Sequence, residues 1–513
     1  MKSSRLAAIL GFCLVWSAAP GAPPEPPAAV PHVRFVMGIS RTTNLIHWVD
    51  NLAGTSQGKT MPVYRRYWET RFGKHDDEDR RALRTFANIR RLAPPIVRLP
   101  ASQAVNPSGC LPVREDAASW HERFMEAAMA SGTLEEFRAA IEPHLPEEEL
   151  KALMGALERF EKRFAGLFDE LDHVRAFQKR FERFLERGQL IEYLDGVARF
   201  LGVDPAALPP MRISFIGLPE DGSTHAEADG DYLLIEIRPH DRPESQIQVV
   251  SHEAVHFLMR RMTSAQLDAL ARQAYSQGEA GALVWRYIWE GLPTALGQGL
   301  AEARLAPKLF SMTGPWYHRE TIDRFAKLIY PAVALSVNSS RRLDEGLIPL
   351  ITREVTASQL YAEARPAEFM MTAFFAGGEG MARTLDSMRM RMGLRHDGSE
   401  PTLNLDDPAL ADLVRRYECL GGIALVSGTE LRRAAALDGE QLLSNQLVSD
   451  MEQRASGGTA FIVAGRRRAG GSVLYLVLPS QSMLAPLMQA FSGLRGLPDR
   501  PLAIGGAPSP ADN

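Results

Sequence analysis

His252 and His256 stand four residues apart with Glu253 directly after the first, in the run His252-Glu253-Ala254-Val255-His256. Four residues of α-helix turn through about 400°, so the two imidazoles leave one face a single turn apart and can aim a nitrogen at the same ion. The neighbours Val249, Val250, Phe257 and Leu258 are apolar, which predicts a buried helix over about 243–262. Pro243 and Glu244 at its front and Arg260 and Arg261 at its back suit the helix dipole. Two imidazoles do not complete a zinc site, so a metal reading needs a third ligand from another segment, whereas an amphipathic helix with two incidental histidines needs none. Glu253 projects beside such an ion rather than onto it, where a carboxylate can take a proton from a zinc-activated water as general base.

This pattern resembles the zincin metallopeptidases, and within them the gluzincin branch, whose third ligand is a glutamate on a later helix. Glu290, in Trp289-Glu290-Gly291-Leu292-Pro293-Thr294, is similar to the Glu-Gly-Leu-Ala segment that carries this ligand. Glu368, in Pro366-Ala367-Glu368-Phe369, is the alternative third ligand, and Glu279, between Gly278 and Gly281, is a further rival. The resemblance covers residues 211–335 and implies one Zn2+ per chain, held by His252, His256 and Glu290. It also implies hydrolysis of peptide bonds in a protein or peptide substrate. Oxyanion stabilisation needs a donor besides the metal, and Tyr317, His318 and Tyr330 follow at plausible distances. Asp323 is a candidate to orient a ligand histidine. The strand expected over Tyr232–Arg238 stands where zincins place the edge strand that pairs with substrate. Two other readings use the same residues: a catalytically weak zincin-fold binding or scaffold protein, and a metal-dependent hydrolase of a non-peptide amide.

The chain of 513 residues has room for about three domains. With 45% hydrophobic and 23% charged residues it has the composition of a globular protein rather than a disordered or polytopic membrane chain. Its 58 Lys+Arg against 62 Asp+Glu give no bulk electrostatic support for nucleic-acid binding. Lys2 and Arg5, the apolar stretch Leu6–Ala19 and the small residues after it read as a signal peptide over 1–22, predicting a periplasmic or extracellular location. A retained anchor and a lipoprotein signal at Cys13 are the less favoured alternatives, and no later run predicts a membrane span. Cleavage leaves Cys110 and Cys419, for which a disulfide, free thiols and a metal-capping Cys110 all stay open.

The expected fold class is α+β, mostly α, with a zincin-like core. A Pro-rich linker over 23–31 precedes a mainly helical region over 32–205, which is either a propeptide or a permanent domain. In it Lys74–Arg81 reads as a solvated helix start, and Phe177, Phe181 and Phe184 as the buried face of a helix. The catalytic core is expected over 206–395, a small C-terminal α/β region over 396–503, and a disordered tail over 504–513. In the C-terminal region Thr459–Ala464 and Val473–Leu478 read as paired strands around a solvated basic turn, Gly465–Gly471.

Overall fold

The computed structural model describes residues 32–56, 60–91, 109–110, 120–344, 346–369, 373–378, 380–391, 403–436, 441–498 and 500–505. The leader, the linker through Pro31 and most of the tail lie outside these residues. The described chain is mostly helical with two sheets, an α+β arrangement.

The first sheet has the order β1 (Phe35–Gly38), β2 (Met211–Gly217), β4 (Tyr232–Ile237), β3 (Ala226–Asp229). β1, β2 and β4 run parallel, and β3 is antiparallel to β4. The strand expected at the edge, Tyr232–Arg238, is therefore an inner strand; the edge belongs to Ala226–Asp229. A strand so short and acidic lacks the β-branched signature of its neighbours and forms because the turn at Gly230, with a positive φ of 55°, folds it back on β4.

The helical region contains α1 (Arg41–Ala53), α2 (Met61–Phe72), α3 (Asp77–Arg90), α4 (Trp120–Ala130), α5 (Leu134–Ile141), α6 (Glu147–Asp169), α7 (Asp172–Leu185) and α8 (Gln189–Phe200). Phe177, Phe181 and Phe184 are buried as their spacing requires, the first two against Phe215 of β2. The start of α3 is less solvated than its charges suggest: Asp79 is buried and accepts from Arg159 and Arg163 of α6. Burial opposes its charge, but the two guanidiniums outweigh it and bring its pKa down to about 2.

This region shares its structure with the site-bearing sheet. β1 is a strand of that sheet, and the Asp195 carboxylate of α8 accepts from the Val33 amide at 2.8 Å. The fully buried Glu236 of β4 accepts from Thr60, Tyr64 and the His225 amide and is bonded to His47. A buried carboxylate is tolerated only with such partners, and three of these four come from residues before 65.

After β4 come α9 (Pro243–Met259), α10 (Ser264–Ser276), α11 (Gly278–Thr294), a π-helical turn (Ala295–Ala301), α12 (Glu302–Leu305), α13 (Glu320–Asn338) and α14 (Leu347–Thr356). No described helix is long and apolar enough to cross a membrane.

The second sheet has the order β10 (Leu502–Ile504), β8 (Ala460–Arg466), β9 (Ser472–Val477), β7 (Gly421–Val426), β5 (Ala373–Gly377), β6 (Leu403–Asn404). β8 and β9 form the expected antiparallel pair. Because β5 belongs to this sheet, the C-terminal layer begins before residue 396. The basic turn is not simply solvated either: Arg467 is buried and donates to the Val414, Tyr417 and Leu420 carbonyls, closing the end of the helix Pro408–Arg416.

Cys110 and Cys419 form a disulfide that joins the helical region to this second layer. With a sequence separation of 309 residues, the bond removes a large amount of unfolded-state freedom. Cys419→Ser should therefore cost about 2–4 kcal/mol in a denaturant melt. Dithiothreitol should lower the midpoint of the parent to that of the variant and leave the variant unchanged.

Candidate metal centre

α9 carries His252, Glu253 and His256 on its buried length; Ala254, Val255, Phe257 and Leu258 are fully buried around them. Its main neighbour is the π-helical turn Ala295–Ala301. At their contact sits Gly297, where an added Cβ would lie 2.8 Å from the His252 amide nitrogen and 2.9 Å from the Gln248 carbonyl oxygen. Only a residue without a side chain lets the two backbones meet this closely. Pro293, in the last turn of α11, has no N–H to give the helix, and the wider π turn follows it at once. The Thr294 hydroxyl donates to the Glu290 carbonyl at 2.7 Å, fastening the turn that presents Glu290.

These contacts bring Glu290 onto the histidine face. Nε2 of His252 and Nε2 of His256 are 3.1 Å apart, and Glu290 Oε2 lies 3.6 Å from the first and 3.5 Å from the second. Ligand atoms bound at about 2.0–2.1 Å around one tetrahedral ion stand about 3.4 Å from one another, so the three atoms match one face of such a tetrahedron. Nδ1 of His252 is 3.1 Å from Gln298 Oε1, an acceptor, which places the ring proton on Nδ1 and leaves the Nε2 lone pair facing Glu290. The His252 lone pair, His256 Nε2 and a carboxylate oxygen at these separations fit a cation between them. Burial opposes charge at both groups, yet the imidazoles hold the Glu290 carboxyl well below its usual range, and Glu290 raises His252 in return.

Glu253 is buried and is not one of the three converging groups. It lies within electrostatic reach of His252, Tyr317 and His225. The Tyr317 ring stacks on His252 at 5.8 Å between centroids, and its hydroxyl donates to Glu290 Oε2 at 3.1 Å. Burial first, and the Glu290 charge next, push this phenol well above its ordinary pKa, so it stays a proton donor.

The remaining candidates lie elsewhere. His318 stacks on the far partner of that contact, Tyr317, at 4.4 Å. Tyr330 packs on Trp316 and Phe310 and against Gly299, inside the apolar support of the π turn. Asp323 does not orient a ligand histidine; it accepts the Trp316 and Tyr317 amides and pairs with Lys327, holding the loop that carries Tyr317. Glu368 accepts from the Tyr287 hydroxyl and from the Arg365 amide, and so caps its own short turn instead of joining the histidines. Glu279 pairs with Arg466 of β8.

Gln298, which takes the orienting position, was not singled out by motif. Its signal is that it is the one polar side chain in the buried run Ala295–Ala301. No known protein family matches the chain, and no curated protein or solved structure is significantly similar to it.

Gly297→Ala should part α9 from the π turn, because the atoms it meets are backbone and cannot swing away. The expected cost is about 1–3 kcal/mol in a denaturant melt, together with weakened zinc binding in a chelator competition. Unchanged zinc affinity in this variant would contradict the role given to the contact.

Proposed function

We propose that the chain is an exported zinc metallopeptidase that hydrolyses peptide bonds, built on a zincin-like core with a glutamate third ligand. The observation that carries the reading is the convergence of His252 Nε2, His256 Nε2 and Glu290 Oε2 within 3.6 Å of one another, with Glu253 beside them and outside the ligand set. An edge strand beside the histidine helix is what the resemblance implies for such a site, and β3 next to α9 supports the reading, although it is not the strand expected there. The disulfide supports an oxidising compartment, in keeping with the leader-like sequence of residues 1–22.

A bound zinc would supply Lewis acidity and lower the pKa of a water. Glu253, buried and within electrostatic reach of His252, is the side chain we assign to receive a proton from the attacking water and to return it to the leaving amine. Tyr317 holds a hydroxyl proton at Glu290 and can redirect it to a developing oxyanion when substrate enters. Gln298 keeps the His252 ring in the orientation that exposes Nε2.

A purely structural site has no use for a buried base beside it, which favours catalysis over a scaffold role. The discriminating experiment is a set of variants read for zinc and for turnover separately. His252→Ala, His256→Ala and Glu290→Ala should each weaken zinc binding by at least about 10–100-fold, whereas Glu368→Gln should leave it unchanged. Zinc loss in Glu368→Gln greater than in Glu290→Ala would overturn the ligand set.

Glu253→Gln should keep stoichiometric zinc and the parental melting profile while cleavage of a peptide library falls by about 100-fold or more. Cleavage at the parental rate in that variant would refute Glu253 as the base. Tyr317→Phe should lower kcat more than it raises KM, by about 10–100-fold, if the hydroxyl acts on the transition state. An increase confined to KM would assign it to substrate binding only.

A further inference from the structure

A second group of ionisable side chains lies along the edge strand, on the face opposite its small residues Ala226 and Ala228. Alternation along a strand sends His225, Glu227 and Asp229 to one side. There His225 Nε2 meets Glu227 Oε2 at 3.2 Å, and His121 of α4 reaches Glu227 at 3.7 Å and Asp229 Oδ2 at 4.0 Å. Arg90, held by a buried pair with Asp50, donates to His121 Nδ1 at 3.2 Å. An arginine can only donate, so the His121 ring carries its own proton on Nε2 and offers the carboxylates an N–H. That is the wrong polarity for a metal ligand.

Both histidines of the group serve Glu227, whose carboxyl they hold well below its usual range. His225, buried but bonded to Glu227, is pushed up to about 9 and balances that carboxylate. Asp229 is left with less: it is 5% exposed, and among the described residues its Oδ2 has no hydrogen-bond partner, His121 standing 4.0 Å away. A buried carboxylate oxygen without a donor is costly, and here burial first and Glu227 next raise the Asp229 pKa to about 7, so that a proton stands in for the absent partner. His121, Arg260 and Glu122 also act on it, and the last two oppose each other.

The position of this group relative to the metal centre gives it a use. His225 is within electrostatic reach of Glu253, and Asp229 within reach of Arg260 at the end of α9, so the strand leads away from the candidate base along the helix. Four residues of strand span about 13 Å. An extended peptide pairing with β3 would therefore bring a residue two to four positions from the scissile bond over Glu227 and Asp229. From this juxtaposition we propose that Asp229 and Glu227 form a subsite for a cationic group of an extended peptide, a lysine or arginine side chain or a terminal ammonium. The inference rests on the peptidase reading above for its substrate, and its test separates the two.

The probe is a set of N-acetylated hexapeptide amides of serine and alanine carrying one lysine moved position by position, the same set with norleucine, and a lysine-free peptide with a free N-terminus. Each is titrated calorimetrically into zinc-loaded Glu253→Gln protein, which should bind without cleaving. At least one lysine peptide, or the free-terminus peptide, should bind about tenfold or more tighter than its norleucine or acetylated counterpart. The first result identifies a side chain as the source of the cation and the second identifies the terminus.

For a lysine peptide the preference should be stronger at pH 8 than at pH 6, because the cation competes with the Asp229 proton, and for either source it should vanish when Asp229→Asn is added. Glu227→Gln should reduce it as well, which guards against a folding defect peculiar to one variant. Equal binding of lysine and norleucine peptides would overturn the subsite and leave the peptidase reading standing. Failure of every peptide to bind zinc-loaded protein would overturn both.

Discussion

The approach of α9 to the π turn at Gly297 is the contact on which the site depends. Without a Cβ at 297 the two backbones meet at His252 itself, and the chain on either side then has little choice of position. Gln298, the next residue, reaches Nδ1 of His252; Glu290, before the turn, reaches Nε2. The aromatic support beneath the turn follows the same logic, because Gly299 leaves room for Trp316 and Tyr330. Trp316 in turn belongs to the segment that Asp323 holds and from which Tyr317 reaches Glu290. A dense interior passes a shift of a few tenths of an ångström from one neighbour to the next, so one methyl group at 297 would be felt at all three converging atoms.

The sheet that faces this assembly is equally dependent on distant sequence. Its first strand comes from Phe35–Gly38, and its buried Glu236 is satisfied by His47, Thr60 and Tyr64. Removing residues 32–205 would strip a strand from the sheet and leave a carboxylate of zero exposure short of donors. The helical region is thus a structural part of the sheet that carries β3 and leads into α9. The Cys110–Cys419 bridge adds a covalent tie from the same region to the second sheet.

Where sequence was legible, a period or a spacing carried the information. The four-residue interval of His252 and His256, the phenylalanines at 177, 181 and 184, and the Gly/Arg turn between β8 and β9 each encode geometry locally. Glu290 could be reached through its similarity to a known segment, although the 34-residue gap from His256 contains no geometric statement. What stayed hidden depends on tertiary partners. Ala226–Asp229 has no strand propensity of its own and is a strand because β4 lies beside it. Asp323 and Glu368 are plausible carboxylates whose acceptors' roles are decided by the Tyr317 amide and the Tyr287 hydroxyl. Arg467 sits in a run of three arginines, and only the fold shows which of them turns inward to the carbonyls at 414, 417 and 420.

In the proposed site one ion is held by two imidazoles and one carboxylate. X-ray absorption at the zinc edge of the loaded, leader-free protein tests it without recourse to substrate or mutation. The spectrum should show a four-coordinate shell of nitrogen and oxygen at about 2.0–2.1 Å, with the outer-shell scattering of two imidazole rings and no sulfur. A shell containing sulfur at about 2.3 Å, or one without imidazole scattering, would contradict it.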